Sequence, residues 1–553
     1  MTAFRAVAAL LFLNTALGFQ NWNATPGIRP DWRLAPELVL LWVVLLAVVK
    51  AVGTVSRGLV TGLALVCLLL VIGRYVDVTA PVLFGRPVNL YWDLGQIPRF
   101  LAVTSQQLPA WQLGLAILGV ALVAWALFRA LHFALTVAAR DAAPLALRSR
   151  TALGATIVAV AVVLASTTGV EAARQLVAKP VTPTYLRQAD LLVSAFSPAR
   201  LAVTLPPSPA FDSDLGRLDG VDVKLLFLES YGATLFDNPA SRGRLAAPRE
   251  ALAQAIASTG RQVVSAFVRS PTFGGASDLA HLGLLSGMDL TDPFRHDLLL
   301  TTGRPTLVDL FRAHGYETFG FYPALSWHWP EAEFYRFDRL VDGPALRYQG
   351  PHLGPWWIPD QYSIARFDEL HPIGPGTPPR LLFFPTISSH FPFWPVPPYQ
   401  PDWSRVLSSQ PFDEHDVARA LAEKIAWADL SPAYVRTIDY TYTWLAGYLR
   451  RPSPRDYLLV LIGDHQPVGS VTGPAAPWDV PVHVITSDEQ LLQRLTALGF
   501  RPGLEPQRPI LGAMHELTQV LLDAFDSRLP VAALARRPAG DGDRLPTRSA
   551  PAS

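Results

Sequence analysis

The first 170 positions and the remainder of the chain carry different hydrophobic patterns. Nearly unbroken apolar runs occupy Phe4–Phe19, Ala35–Val52, Leu59–Ile72, Trp111–Ala139 and Leu153–Thr168. A helix needs about 20 apolar residues to cross about 30 Å of hydrocarbon, and each run approaches that length once its flanks are included. A single run of this kind could be the core helix of a soluble protein. Five in succession predict an α-helical membrane domain of about five transmembrane helices over residues 1–172. Lys50 and Arg57 flank the second link between runs, and Arg129, Arg140, Arg148 and Arg150 flank the fourth. The positive-inside bias puts those links in the cytoplasm and everything after Ala172 outside it. The first run has no small-residue cleavage site before Gln20, so it reads as a retained helix.

Residues 173–215 read as a linker or amphipathic bridge, interrupted by Pro180, Pro183, Pro206, Pro207 and Pro209. Over residues 216–529 the period changes. Short apolar runs at Val223–Leu228, Gln262–Val268, Thr318–Tyr322, Arg380–Pro385, Tyr457–Ile462 and Val480–Thr486 predict strands. Helical patterns at Ala246–Ser258, Thr306–His314, Val417–Ala428 and Ala433–Leu449 alternate with them. That alternation predicts an α/β domain with a mostly parallel sheet covered by helices on both faces. The tail, residues 530–553, is rich in Ala, Arg, Pro and Gly and predicts disorder.

Composition narrows the class. Half the residues are hydrophobic and 16% are charged, which suits a chain partly embedded in lipid. A net charge of +1 with no basic patch argues against nucleic acid as a partner. The lone cysteine, Cys67, excludes an intrachain disulfide and a cysteine-based metal cluster. Basic charge carried almost wholly by Arg, with abundant Ala and Pro, suits a GC-rich bacterial genome.

Ligands of a parallel α/β sheet bind beyond the carboxyl ends of its strands, so the chemistry is sought there. Four strand ends are polar: Glu229-Ser230-Tyr231-Gly232, the loop from Ser270 to Asp278, Thr386–Phe393, and Gly463-Asp464-His465. Glu229, Asp464 and His465 offer two carboxylates and an imidazole. That set suits one divalent ion, Mn²⁺ or Zn²⁺, better than Ca²⁺, which prefers oxygen throughout. Ser277 would complete the shell as both ligand and nucleophile, standing after two glycines at a predicted helix start that favours an anionic ester. Each piece alone has a plainer reading: a surface glutamate, a turn, an N-cap, a loop histidine. Their succession at adjoining strand ends is what points to a site.

Leu-Glu-Ser-Tyr-Gly, the Gly-Gly-x-Ser loop, Gly-Tyr-Glu-Thr, Ser-Ser-His-Phe-Pro-Phe and Gly-Asp-His, following five apolar runs, resemble the lipoteichoic acid synthases and related phosphoglycerol transferases. These group with the sulfatases and phosphoethanolamine transferases in the alkaline phosphatase superfamily, and the similarity spans about Val221–Phe525. The resemblance implies metal ligands at Glu229, Asp464 and His465, a substrate-contacting histidine at His390, and a hydroxyl nucleophile in the Gly-rich loop. Ser277 is the preferred nucleophile; Thr272 is the alternative, and a register placing Ala276 there would mean a degenerate enzyme. The sulfatase Cys/Ser-x-Pro-x-Arg signature is absent. The family's Trp-x-Arg substrate element corresponds to Trp327-His328-Trp329-Pro330-Glu331, which keeps Trp327 and Trp329 as candidate substrate contacts and lacks the arginine.

Taken together, the expectation is a multi-pass protein of the bacterial cytoplasmic membrane with an extracytoplasmic catalytic domain. It would move a phosphoglycerol- or phosphoethanolamine-like group from a membrane lipid donor to an envelope glycan or lipid through a seryl intermediate. The alternatives are a sulfatase or phosphodiesterase hydrolase of the same superfamily, or a degenerate binding homologue. A transporter is disfavoured by the few charges within the apolar runs. Arg336, Asp360, Gln361 and His483 are further candidates for the pocket lining.

Overall fold

The computed structural model describes residues 2–84, 110–146, 175–195 and 205–534, apart from a few short breaks, 326–328, 355 and 474–475 among them. The chain forms two compact units, Met1–Ser197 and Pro198–Ser553.

In the first unit the apolar runs are helices at Thr2–Gly18, Pro36–Val52, Arg57–Phe84 and Ala110–Ala146. Leu13, Leu17, Leu45, Val49, Ala64, Cys67, Leu131 and Leu135 pack together as its core. Outward-facing positions stay apolar: Leu69, Ile72, Val120, Val123, Trp125 and Phe133 are all more than a third exposed. Helices apolar on their outer faces suit a lipid solvent. Arg57–Leu83 and Ala110–Arg140 are long and apolar enough to cross a membrane. The first two helices have 17 residues each. The fifth expected run, Leu153–Thr168, lies largely outside the described residues. Among the described residues two candidate spans therefore stand, and the five-span arrangement is not confirmed. Arg74, buried in this unit, donates to the carbonyls of Gly18 and Phe19 at 3.4 and 2.9 Å and closes the end of the first helix.

The second unit is built on an eight-stranded sheet. Its strands are β3 (Asp222–Leu228), β4 (Gln262–Arg269), β5 (Glu317–Tyr322), β6 (Arg339–Asp342), β7 (Arg380–Pro385), β8 (Tyr457–Gly463), β9 (Asp479–Thr486) and β10 (Arg501–Pro502), the numbers β1 and β2 belonging to a short hairpin, Gln20–Asn21 with Ile28–Arg29. The order is β10-β4-β9-β8-β3-β7-β5-β6. Five neighbours, β8-β3-β7-β5-β6, run parallel, while β9 is antiparallel to both β8 and β4, and β10 is antiparallel to β4. The sheet is thus mixed, its parallel part running from β8 to the β6 edge and its antiparallel pairs lying at the β10 side. Six strands fall where the apolar runs predict them; β6 and β10 lie outside those runs, being short and exposed at half or more of their positions.

Strands β3, β7, β8 and β9 are buried along their whole length, because helices cover both faces. Leu226, Leu228, Leu382, Phe384, Leu459 and Leu461 pack with Ala246–Ser258, Asp360–Leu370 and Ser431–Leu449. The alternate residues Phe227 and Phe383 meet His281, on the helix Ser277–Ser286, across the other face, at ring separations of 4.5 and 5.3 Å. Period-two alternation along each strand thus separates two layers of helices.

Candidate metal centre

The carboxyl ends of β3 and β8 lie side by side in register, Leu228 opposite Gly463, so Glu229 and Asp464 emerge together. Two glycines make the approach possible. A Cβ at Gly463 would collide with the carbonyl oxygen of Tyr231, and one at Gly232 with the side chain of Gln466. Ser230 adopts a positive φ of 55° to turn the chain away from the strand, and its amide donates to Asp464 Oδ1 at 2.8 Å. The amide of His465 donates to the same oxygen at 2.6 Å. Ser230 Oγ donates to Glu229 Oε1 at 2.8 Å.

Glu229, Asp464 and His465 are all buried and can each present a ligand atom within 4.8 Å of the others. Nε2 of His465 lies 3.6 Å from Glu229 Oε1 and 3.5 Å from Asp464 Oδ2. Its Nδ1–H donates to the carbonyl of Gln466 at 2.8 Å, and because a carbonyl only accepts, Nε2 keeps its lone pair for a ligand. Burial, and then the charge of Asp464, pushes the Glu229 carboxyl up to about 8. Two buried carboxylates crowding one imidazole without a cation are electrostatically frustrated, and a divalent ion relieves that. The donor set therefore fits a metal.

The Gly-rich loop supplies the fourth group. Gly274 and Gly275 have positive φ, as does Ala276 at 61°, a conformation that is strained for a residue with a Cβ. The loop feeds directly into the helix Ser277–Ser286. Ser277 Oγ lies 3.2 Å from His465 Nε2. Thr272, the alternative nucleophile, is fully buried and its hydroxyl donates to the carbonyl of Gly275 at 2.6 Å, so it shapes the loop. Ser270 Oγ ties the same loop to β8 by donating to the carbonyl of Asp464 at 2.5 Å.

The loop after β7 is fastened to the same edge. Ser389 Oγ donates to the carbonyl of Glu229 at 2.6 Å. His390 follows it, its Nδ1–H donating to the carbonyl of Phe391 at 2.7 Å and its ring edge-on to Trp356. Burial lowers its pKa, so the imidazole is neutral at pH 7 with Nε2 able to take a proton.

Of the lesser candidates, Asp360 accepts from the amides of Ile387 and Ser388 at 2.8 and 3.0 Å and so braces the His390 loop from beneath. Gln361 is buried on backbone carbonyl and amide of Gln400, Arg336 pairs with Asp309, and His483 bonds Ser265 and Tyr231 inside the domain. Trp327 lies outside the described residues. Trp329 is 4% exposed and packs on Tyr322, Tyr335 and Phe383, a core position with almost no surface to offer a ligand. Glu331, the last residue of that segment, is buried 3.1 Å from His296. The sequence reading passed over Ser230, whose amide and hydroxyl orient both carboxylates; its place inside the Glu-Ser-Tyr-Gly motif was the available signal.

Residues 285–483 match the sulfatase family model, a stretch that includes His390, Asp464 and His465. Glu229 and Ser277 precede the matched stretch. No curated protein matches the sequence. Solved structures similar to it include a protein in the alkaline phosphatase superfamily from Vibrio parahaemolyticus, at 17% identity over 60% of this chain and 72% of that one, TM-score 0.38. Another is lipoteichoic acid synthase LtaP from Listeria monocytogenes, at 14% identity over 50% and 68%, TM-score 0.33. A third is the phosphoglycerol transferase GacH of Streptococcus pyogenes in complex with sn-glycerol-1-phosphate, at 12% identity over 62% and 83%, TM-score 0.36.

Proposed function

We propose that the second unit is a sulfatase-family domain acting as a metal-dependent phosphotransferase, held at the bacterial cytoplasmic membrane by the helical unit with the catalytic domain outside. It would transfer a phosphoglycerol- or phosphoethanolamine-like group from a lipid donor to an envelope glycan or lipid. The observation that carries this reading is Ser277 Oγ at 3.2 Å from the imidazole that the two buried carboxylates face.

Glu229, Asp464, His465 and Ser277 would hold the ion, Mn²⁺ or Zn²⁺. When bound, it lowers the pKa of the serine hydroxyl and neutralises charge on the phosphoryl oxygens. Ser277 stands at the first turn of a ten-residue helix, whose free amides and dipole favour the anionic ester. Its oxygen attacks phosphorus, the bond to the lipid alcohol breaks, and a seryl phosphodiester remains. The Ser277 hydroxyl proton would pass to the free Nε2 of His390 and from there to the departing lipid oxygen; Nε2 would then take the proton of the acceptor hydroxyl and return it to Ser277 Oγ as that oxygen leaves phosphorus. Strained backbone at Ser230 and Ala276 fixes both halves of the site before substrate arrives.

A hydrolase of the same superfamily would use the same residues with water as the acceptor. Peptide-mapped mass spectrometry after incubation with metal and membrane phospholipids tests the proposal, with His390→Ala included to slow turnover. An adduct on Ser277 is the expected result, and its mass names the group. An adduct on another residue, or none on metal-loaded protein with a full panel of donors, overturns the seryl route.

A further inference from the structure

The opposite edge of the sheet carries a second polar cavity. Its volume is about 260 Å³, and Lys224, Asp368, His371, Arg380, Tyr448 and Tyr457 contribute to its wall. Lys224 lies near the start of β3, Arg380 opens β7 and Tyr457 opens β8. These strands are parallel, so the cavity is at their amino ends, about 20 Å of strand from the metal centre. It is smaller than the ~300–1,000 Å³ typical of drug-sized ligands.

The charges around it do not balance. Arg455 pairs with Asp222 at 2.9 Å, Arg451 with Asp368 at 2.9 Å, and Arg261 with Asp456 at 2.5 Å. Lys224 and Arg380 have no carboxylate partner among the described residues, although they are only 9% and 7% exposed. Lys224 Nζ donates to the hydroxyl of Tyr448 at 2.6 Å, which in turn donates to Asp368, already paired with Arg451, at 3.3 Å; the ammonium also faces the rings of Tyr448 and Tyr457. An ammonium has three donors, so two remain. The Arg380 terminal nitrogens donate to the carbonyls of His371 and Pro372 at 2.7 and 3.0 Å, while its Nε is buried without a partner. Two buried cations with donors to spare beside a cavity are costly unless an anion compensates them.

We propose that this cavity binds a small oxyanion of the phosphate type, held by Lys224 Nζ and Arg380 Nε. The site is separate from the metal centre and does not depend on the phosphotransferase reading.

The full-length, metal-loaded protein in detergent is titrated with inorganic phosphate, and lysine acetylation by acetic anhydride is read by mass spectrometry. The chain has four lysines, so Lys179 and Lys424 serve as internal references for Lys224. Phosphate should protect Lys224 several-fold, in wild type and in Glu229→Gln alike, and leave the references unchanged. Arg380→Gln should abolish the protection. Thermal unfolding reads the same binding without labelling: phosphate raises the Tm of wild type and Glu229→Gln, and not of Lys224→Met. No Lys224 protection and no Tm rise at tens of millimolar phosphate would overturn the site. So would an effect lost in Glu229→Gln but kept in Lys224→Met or Arg380→Gln, because the anion would then sit at the metal centre.

Discussion

Ser277 Oγ and His465 Nε2 stand 3.2 Å apart, although 188 positions separate them in the chain. The serine opens a helix after β4, the histidine follows β8, and the nitrogen they share also faces Glu229 and Asp464. The proposed nucleophile and the proposed metal ligands are thus one cluster.

Ser277→Ala should therefore remove turnover, by on the order of 10³-fold or more, while leaving the three other ligands in place. Hydrolysis of a chromogenic phosphodiester together with metal content per chain checks this. Activity within tenfold of wild type would exclude Ser277 as the nucleophile.

Chelation should abolish activity, and Mn²⁺ or Zn²⁺ should restore it at one ion per chain. Glu229→Gln should weaken metal binding, since it removes one of the two carboxylates that face His465. Elemental analysis after dialysis gives the stoichiometry. An enzyme fully active after exhaustive chelation would contradict the assignment.

Gly463→Ala should destabilise the domain and loosen Asp464, because the new methyl meets the backbone carbonyl of Tyr231, which cannot swing aside as a side chain can. Overpacking of this kind costs about 1–3 kcal/mol, so a Tm several degrees lower and reduced metal affinity are expected. An unchanged Tm would mean that β3 and β8 part more easily than their full burial suggests.

The buried pair His296–Glu331 should make stability fall in alkali. Burial opposes protonation of His296, but its hydrogen bonds to Asp297 and Glu331 and the Glu331 charge outweigh it, raising the pKa from 6.5 to about 9. A raised folded pKa contributes stability that is complete below the unfolded value of 6.5 and lost as pH climbs through about 9, roughly 3 kcal/mol in all. The Tm of wild type should drop between pH 6.5 and 9.5 more steeply than that of His296→Gln. Parallel curves would refute the charged pair.

Much of this was legible in the residues themselves. The strands β3, β7 and β8 are short apolar runs ending in Glu, His or Asp-His, and a parallel α/β sheet puts such ends at one edge. The pairing of Glu229 with Asp464 and His465 followed from that rule alone. The antiparallel β9 did not, because a strand buried on both faces shows the same apolar run whichever way it points. Trp329 is ambiguous for a related reason: a tryptophan after a strand reads alike whether it lines a pocket or fills the core. Only the rings of Tyr322, Tyr335 and Phe383 around it decide.

The sequence by itself determined the two hydrophobic patterns of the chain, the α/β periodicity and the chemical types gathered at the strand ends. Each is a local property, set by hydrophobic spacing within one element. The tertiary structure decided which hydroxyl meets the imidazole, that Thr272 is committed to its loop, and that Lys224 and Arg380 line one cavity. Those facts depend on distances between segments far apart in the chain, which packing fixes and spacing along the chain does not record.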